Sequence, residues 1–383
     1  MSPRWMIALV AEVALAAVVL SAGLAFLAPK PQTGGEDLVQ DYLSARALLA
    51  GEDPYQPLPP LRERAGLTAG PQFEMKAEYN PHPPVAVFLA VPVARLPFDQ
   101  ACQVHPILQI ILLAGSWVWA WRLAGIRNTV FIVAGAAALS LWPPVWGGLD
   151  WGQPTGMLAL LSVALWHLAE GRRPALAGGV LVISCLVRPL FAGYATPAGG
   201  WRWRDVAKSA GAMLGGVFAS FFVVGITPWE WYRRASRAGE FATTGGSLAS
   251  VLDLSAGAGV AGFVLWVVAV AIMARRGLPG REAAALGTTG GMLFFPLAWF
   301  HYDVVFIPVA LWAGCEGVRR RRALAVAAVV AYMVLRLVPP YAHIPGSTTW
   351  LPVAGRVCLL AACILLAVNG AATRRQERPS APE

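Results

Sequence analysis

Asp37 and Asp41 stand one helical turn apart in the first polar stretch of the chain. A carboxylate within hydrogen-bond reach of a hydroxyl can take its proton while that oxygen forms a new bond. The same residue type at a helix start also caps backbone N–H groups. His82 stands in Tyr79-Asn80-Pro81-His82-Pro83-Pro84, as a proton-transfer group or a structural hydrogen-bonder. The prolines around it favour an extended entry into the apolar run that follows. Gln153 lies in Asp150-Trp151-Gly152-Gln153-Pro154-Thr155, a polar edge that contacts a ligand or caps a helix. Arg188 sits in the middle of an apolar stretch. A charge there costs about 2.5–3.5 kcal/mol even on the lenient scale, which makes it a functional residue by default. An anionic lipid phosphate is a fitting partner, and snorkelling toward an interface is the plain alternative. The series closes with His301 and Asp303 in Phe295-Pro296-Leu297-Ala298-Trp299-Phe300-His301-Tyr302-Asp303. That composition also suits an interfacial aromatic belt.

These groups need elements to hold them. From Asp37 to Ala50 the pattern predicts an amphipathic helix, with Leu38, Tyr42, Ala45 and Leu49 on one stripe. Gly51 stops it, and Asp53-Pro54-Tyr55 reads as a turn. Such a helix would lie along a membrane surface, with Asp37 just past the end of a first membrane helix. That first apolar run is Trp5 to Leu27, behind Arg4. Its length favours an uncleaved anchor over a signal peptide with a small-residue end at Ala25 and Ala28. After the polar stretch Pro29 to Pro83, apolar segments run over 84–98, 104–124, 128–147, 151–169, 175–197 and 209–228. Others cover 257–274, 283–299, 303–318, 323–340 and 351–370. About twelve such segments, set against the ~20 residues a bilayer requires, leave no room for a soluble domain. The expectation is an all-α polytopic membrane protein, one domain over 1–370. Residues 30–83 form its outer first loop, and 371–383 form a short basic cytoplasmic tail.

Composition agrees. Of 383 residues, 57% are AVILMFWYC and only 13% are DEKR, where soluble proteins carry about 25% charged residues. Mean hydropathy is +0.57. This excludes a soluble enzyme, a nucleic-acid-binding domain and a disordered chain. The net charge of +9 reads as basic loops facing the cytoplasm. Those loops are Trp201–Lys208, Arg275–Arg281, Arg319–Arg322 and Arg374–Arg378. Placing them inside puts 30–83 and 300–303 on one outer face. Strict alternation over the front half places Arg122, Arg127, Arg172 and Arg173 outside, against the same rule. Re-entrant hairpins at 84–98 and at Arg188-Pro189 are the other solution. None of the five cysteines lies in a CxxC pair, so neither a disulfide framework nor a zinc site is expected.

The order of these features resembles glycosyltransferase family 87, of the GT-C type. The family pattern is an Asp after the first membrane helix, an aromatic residue, an Ala/Leu-rich helix, Gly and Asp-Pro-Tyr. Here these are Asp37-Leu38, Tyr42, Ala45-Arg46-Ala47-Leu48-Leu49-Ala50-Gly51 and Asp53-Pro54-Tyr55. A proline-rich entry and a Pro-x-x-x-Leu-Pro element match Pro81-His82-Pro83-Pro84 and Pro92-Val93-Ala94-Arg95-Leu96-Pro97. A Gly-Gln element matches Gly152-Gln153, and a Pro-x-x-Trp-x-His-Tyr element matches Pro296, Trp299, His301 and Tyr302. The family's Lys-Pro stands here as Arg188-Pro189, which keeps the cation and changes its geometry.

The resemblance implies a GT-C fold and transfer of a sugar, mannose first, from a polyprenyl-phosphate-linked donor to a lipid or glycan acceptor. It implies an inverting reaction at the outer face of the cell membrane, in a multi-pass protein surrounded by membrane lipids. Asp37 would be the general base, with Asp41 as its rival and a substrate contact. Arg188 would meet the donor phosphate, with His301 as a second catalytic group. Tyr42, Tyr55, His82, Gln153, Trp299 and Tyr302 would contact substrate. No DxD motif stands in the outer loops, so no metal and no cofactor is expected, nor any nucleic acid. A lipid transporter or flippase would use the same Arg188 and apolar bulk. The long outer loop and the lack of internal repeats argue against it.

Overall fold

A computed structural model of the chain describes residues 3–27, 36–67, 79–171, 173–238, 252, 255–295, 300–337 and 350–376. Among them every regular element is helical. Lipid offers the backbone no water, so each segment must satisfy its own N–H and C=O groups. In chain order come α1 (Pro3–Leu27), α2 (Glu36–Leu49), α3 (Leu58–Arg64), α4 (Pro84–Ala94), α5 (Phe98–Leu123) and α6 (Thr129–Ser140). Next are α7 (Pro143–Asp150), α8 (Thr155–Leu168), α9 (Pro174–Val187) and a 3-10 helix over Pro189–Gly200. α10 (Trp203–Val224), α11 (Ile226–Ala238), α12 (Ala256–Arg275) and α13 (Gly280–Phe294) precede a second 3-10 helix, Phe300–Phe306. α14 (Ile307–Arg319), α15 (Ala323–Leu335) and α16 (Trp350–Gln376) follow.

Five helices, α1, α5, α10, α12 and α16, are long and apolar enough to cross a membrane. The pair α6–α7 makes a sixth such unit, bent by 58°. α4, α8, α9 and α15 are apolar but shorter. The segments expected from hydropathy are therefore cut into unequal pieces, mostly at prolines. The clearest cut is at Arg188, which is extended (φ −150°, ψ 118°) ahead of Pro189, as the ring of a following proline demands. α16 continues to Gln376, into the segment expected as a tail.

Two apolar cores result. The larger unites α1, α5–α9 and α12–α16. The smaller joins α2, α3, α4 and the start of α5, with Trp231 and Tyr232 of α11 packed against it. α2 differs from the surface helix expected. Leu38, Tyr42 and Ala45 are buried as predicted, but so are Val39, Leu43, Ser44 and Ala47. The helix lies inside the small core, with Leu49 exposed.

Helix directions follow from a few contacts. Glu12 of α1 receives Arg122 at 2.6 Å and Thr129 at 3.0 Å. Gly23, further along α1, lies against Ser140. α1 and α6 thus run parallel, and the Arg122–Arg127 turn sits toward the end where α1 begins. Residues 169–171 meet Trp201 and Gly280, and Glu170 pairs with Arg281 at 3.3 Å. α9 and the 3-10 helix after it therefore form a hairpin with both feet at that junction and Arg188 at its tip.

Candidate active site

The seam between the two cores is polar. Asp37 occupies the second position of α2, and its backbone N–H donates to the Trp151 carbonyl at 2.9 Å. Gly152, at φ +75°, ends α7 in the left-handed conformation that glycine adopts freely. The chain then turns so that the Gln153 side-chain amide donates to Asp37 Oδ2. Gln40, one turn along α2, donates to Asp37 Oδ1 at 3.1 Å. Side-chain amides therefore hold both carboxylate oxygens. Capping, the alternative raised by its position, does not account for these partners.

Asp41 has a different set. His82 Nδ1 lies 2.7 Å from its Oδ1, and Asn80 Nδ2 donates to the same oxygen at 3.0 Å. Asn80 also donates to Ser44 Oγ at 3.0 Å and accepts the His82 backbone N–H at 2.9 Å. Tyr55 donates its hydroxyl to the His82 carbonyl at 2.8 Å. His82 Nε2 in turn lies 3.0 Å from Arg188 Nη2. A guanidinium only donates, so this nitrogen accepts and Nδ1 carries the proton toward Asp41.

Arg188 is 4% exposed. Its Nη1 donates to the Val187 carbonyl at 3.0 Å and its Nη2 to Gln153 Oε1 at 3.3 Å. The Tyr302 hydroxyl lies near enough to interact with it. Arg188 Nε is buried with no hydrogen-bond partner among the described residues. It reaches Asp41 through His82 and Asp37 through Gln153, and pairs directly with neither. A buried guanidinium left one donor short fits an incoming anion.

The two carboxyls are tuned apart. Burial pushes Asp37 above its ordinary value, and His82, Gln153 and Arg188 offset this only in part. Burial also pushes Asp41 upward, but His82, Arg188 and Asn80 outweigh it and hold that carboxyl below the usual range. A raised carboxyl beside a depressed one is the arrangement that separates a proton acceptor from a permanent anion.

Of the residues singled out from sequence, Asp37, Asp41, His82, Gln153, Arg188 and Tyr302 come together. Tyr55 braces His82 from behind. Tyr42 faces the small core instead, donating to the Leu96 carbonyl at 2.9 Å with its ring edge-on to Phe98. Trp299 and the His301 side chain lie outside the described residues. Gln40 and Asn80 were not given roles from sequence. Neutral amides carry no charge signal, and only the fold shows that they hold the two carboxylates. Among the described residues, no group of three or more His, Cys, Asp or Glu gathers as a metal site would.

Residues 80–299 match the family model described as Glycosyltransferase family 87. Neither a curated protein nor a solved structure matches the chain. The matched span covers more than half of the 383 residues and includes His82, Gln153, Arg188 and the α9 hairpin. The chain belongs to glycosyltransferase family 87, a GT-C type family, and is a membrane glycosyltransferase.

Proposed function

We propose that the protein moves a sugar, with mannose the first candidate, from a polyprenyl-phosphate-linked donor to a lipid or glycan acceptor. One observation carries this reading. Gln153 donates to Asp37 and accepts from Arg188, so a carboxylate and a buried cation share one amide. Asp37 takes the proton from the acceptor hydroxyl as its oxygen forms a bond to C1 of the sugar. The C1–oxygen bond to phosphate breaks on the opposite side, and the configuration inverts. The lipid phosphate leaves with more charge than it brought, and Arg188 stabilises it. Asp41 keeps His82 in the tautomer whose Nε2 accepts from Arg188, which aims the guanidinium. His301 is a second group for the departing phosphate. In this reading the transfer is metal-independent and uses no cofactor.

In this reading the chain is one multi-pass domain of GT-C fold in the cell membrane, over 1–370. Its basic segments at 201–208, 275–281 and 319–322 face the cytoplasm, and α2 faces outward with the active site. The test is transfer of radiolabel from polyprenyl-phosphomannose in membranes containing the protein. A mannosylated product of inverted configuration is the expected result. Movement of donor across the bilayer without transfer sinks the proposal in favour of a flippase.

A further inference from the structure

A second charged cluster lies apart from Asp37 and Asp41, on the other side of the 3-10 helix that carries Tyr302. Asp303 is fully buried, at 0% exposed. Its Oδ1 accepts from Arg356 Nε at 2.9 Å and Nη2 at 2.7 Å. Its Oδ2 lies 2.6 Å from Arg336 Nε. Arg336 ends α15 and Arg356 lies in the second turn of α16, so both helices grip one carboxylate. The next residue back, Tyr302, lies beside Arg188 and interacts with it.

Three-residue turns place successive side chains about 120° apart, and such a helix is held by poorer hydrogen bonds than an α-helix. Anchors from outside therefore decide where this segment sits. There are three. Asp303 is held by the two arginines. Tyr194 donates to the Val305 carbonyl at 3.0 Å. The ring of Phe306 packs edge-on to Tyr332, 6.3 Å away. Of these, the Asp303 clamp is covalently nearest to Tyr302.

We infer that Asp303, clamped between Arg336 and Arg356, is a positioning residue for glycosyl transfer, seating Tyr302 against Arg188. The kinetic part of this inference rests on the donor-phosphate reading of Arg188. Asp303 touches no substrate. It acts by fixing the register of the segment on which Tyr302 approaches the guanidinium. Loss of the carboxylate leaves two buried guanidiniums facing each other, and the segment shifts away from them.

The experiment places a fluorotyrosine at position 302 of the full chain in lipid nanodiscs and reads its ¹⁹F resonance alongside transfer kinetics. Asp303→Asn is expected to move the resonance toward its position in Arg188→Met, while a label at Tyr42 stays put. The variant should lose about 10²-fold in kcat, the scale of an ångström's misplacement, with donor KM little changed. In a Tyr302→Phe background the same substitution should cost nothing further, because it acts through that hydroxyl. Losses that multiply, or an unmoved 302 resonance in folded Asp303→Asn, overturn the inference. Should Asp303→Asn fail to fold, Arg336→Lys keeps the charge without the fork and takes the same readouts. Absence of transfer from the polyprenyl-phospho-sugar by the wild type defeats the donor reading alone. The resonance then still decides whether Asp303 seats Tyr302.

Discussion

The two charged clusters use the same residue types to opposite ends. At the α15–α16 clamp, guanidinium meets carboxylate directly, and Asp303 has no exposed surface. At the seam, Arg188 is spaced from Asp37 and Asp41 by Gln153 and His82, and it keeps a buried Nε without a partner among the described residues. Direct pairing neutralises the buried carboxylate and fixes structure. Spacing by neutral polar groups keeps the cation oriented while leaving its charge available to a ligand. The difference separates a brace from a site, although both are buried and both were costly to bury.

Substitutions can break this contrast in order of expected effect. Asp37→Asn keeps size and much of the hydrogen bonding but cannot accept a proton, so transfer should fall by about 10²–10⁴-fold. Donor binding should persist, and Asp41→Asn should lose far less. Near-wild-type turnover of Asp37→Asn, measured with donor saturating, discards the base assignment. Arg356→Met strands the buried Asp303 with one guanidinium fewer. Breaking such a pair costs about 3–5 kcal/mol, read as a lower midpoint of thermal inactivation in detergent. Arg188→Met should lower that midpoint much less, because Arg188 neutralises no carboxylate directly.

The reverse holds for turnover. Arg188→Ala should lose about 10²–10³-fold, the usual effect of removing one transition-state donor. Arg188→Lys should recover part of it, since the family pattern carries Lys at this position. Full activity of a well-expressed Arg188→Ala protein rejects the phosphate contact. The smallest effect is on pH. The rate needs ionised Asp37, whose carboxyl is raised by burial, so the acid limb should bend above the ordinary Asp value of 3.8. Asp41 helps to raise it, so Asp41→Asn should move the bend downward. Asp41 itself is depressed in the fold. Its stabilising contribution is complete above 3.8 and is lost only as pH falls through its lower folded value. Asp37 has the opposite sign, costing stability as pH rises from 3.8 through its raised value. An acid limb below 3.8 contradicts the assignment of Asp37.

How far the sequence could be read differs between the two regions. The α2 helix was expected over 37–50 and is found over 36–49, because its apolar spacing and Gly51 are local signals. Arg188 stood out as a charge in an apolar run, and it is the tip of a hairpin at the site. The same signal was present at Arg336 and Arg356, within the segments 323–340 and 351–370, and it marked a brace rather than a binding site. Hydropathy sees that a charge is buried without seeing what it meets.

The sequence by itself determined that the chain is helical and made for lipid, and that it belongs to glycosyltransferase family 87. These are properties of composition, period and order along one chain. Only the tertiary structure decided that Arg188 is spaced from the carboxylates while Arg356 is pressed against one. Only it showed that Gln40 and Asn80 hold the two aspartates, and that several apolar runs are broken into shorter helices. The physical reason is distance in sequence. His82 meets Arg188 across 106 residues and Arg356 meets Asp303 across 53. No local pattern records which far residue will satisfy a buried charge.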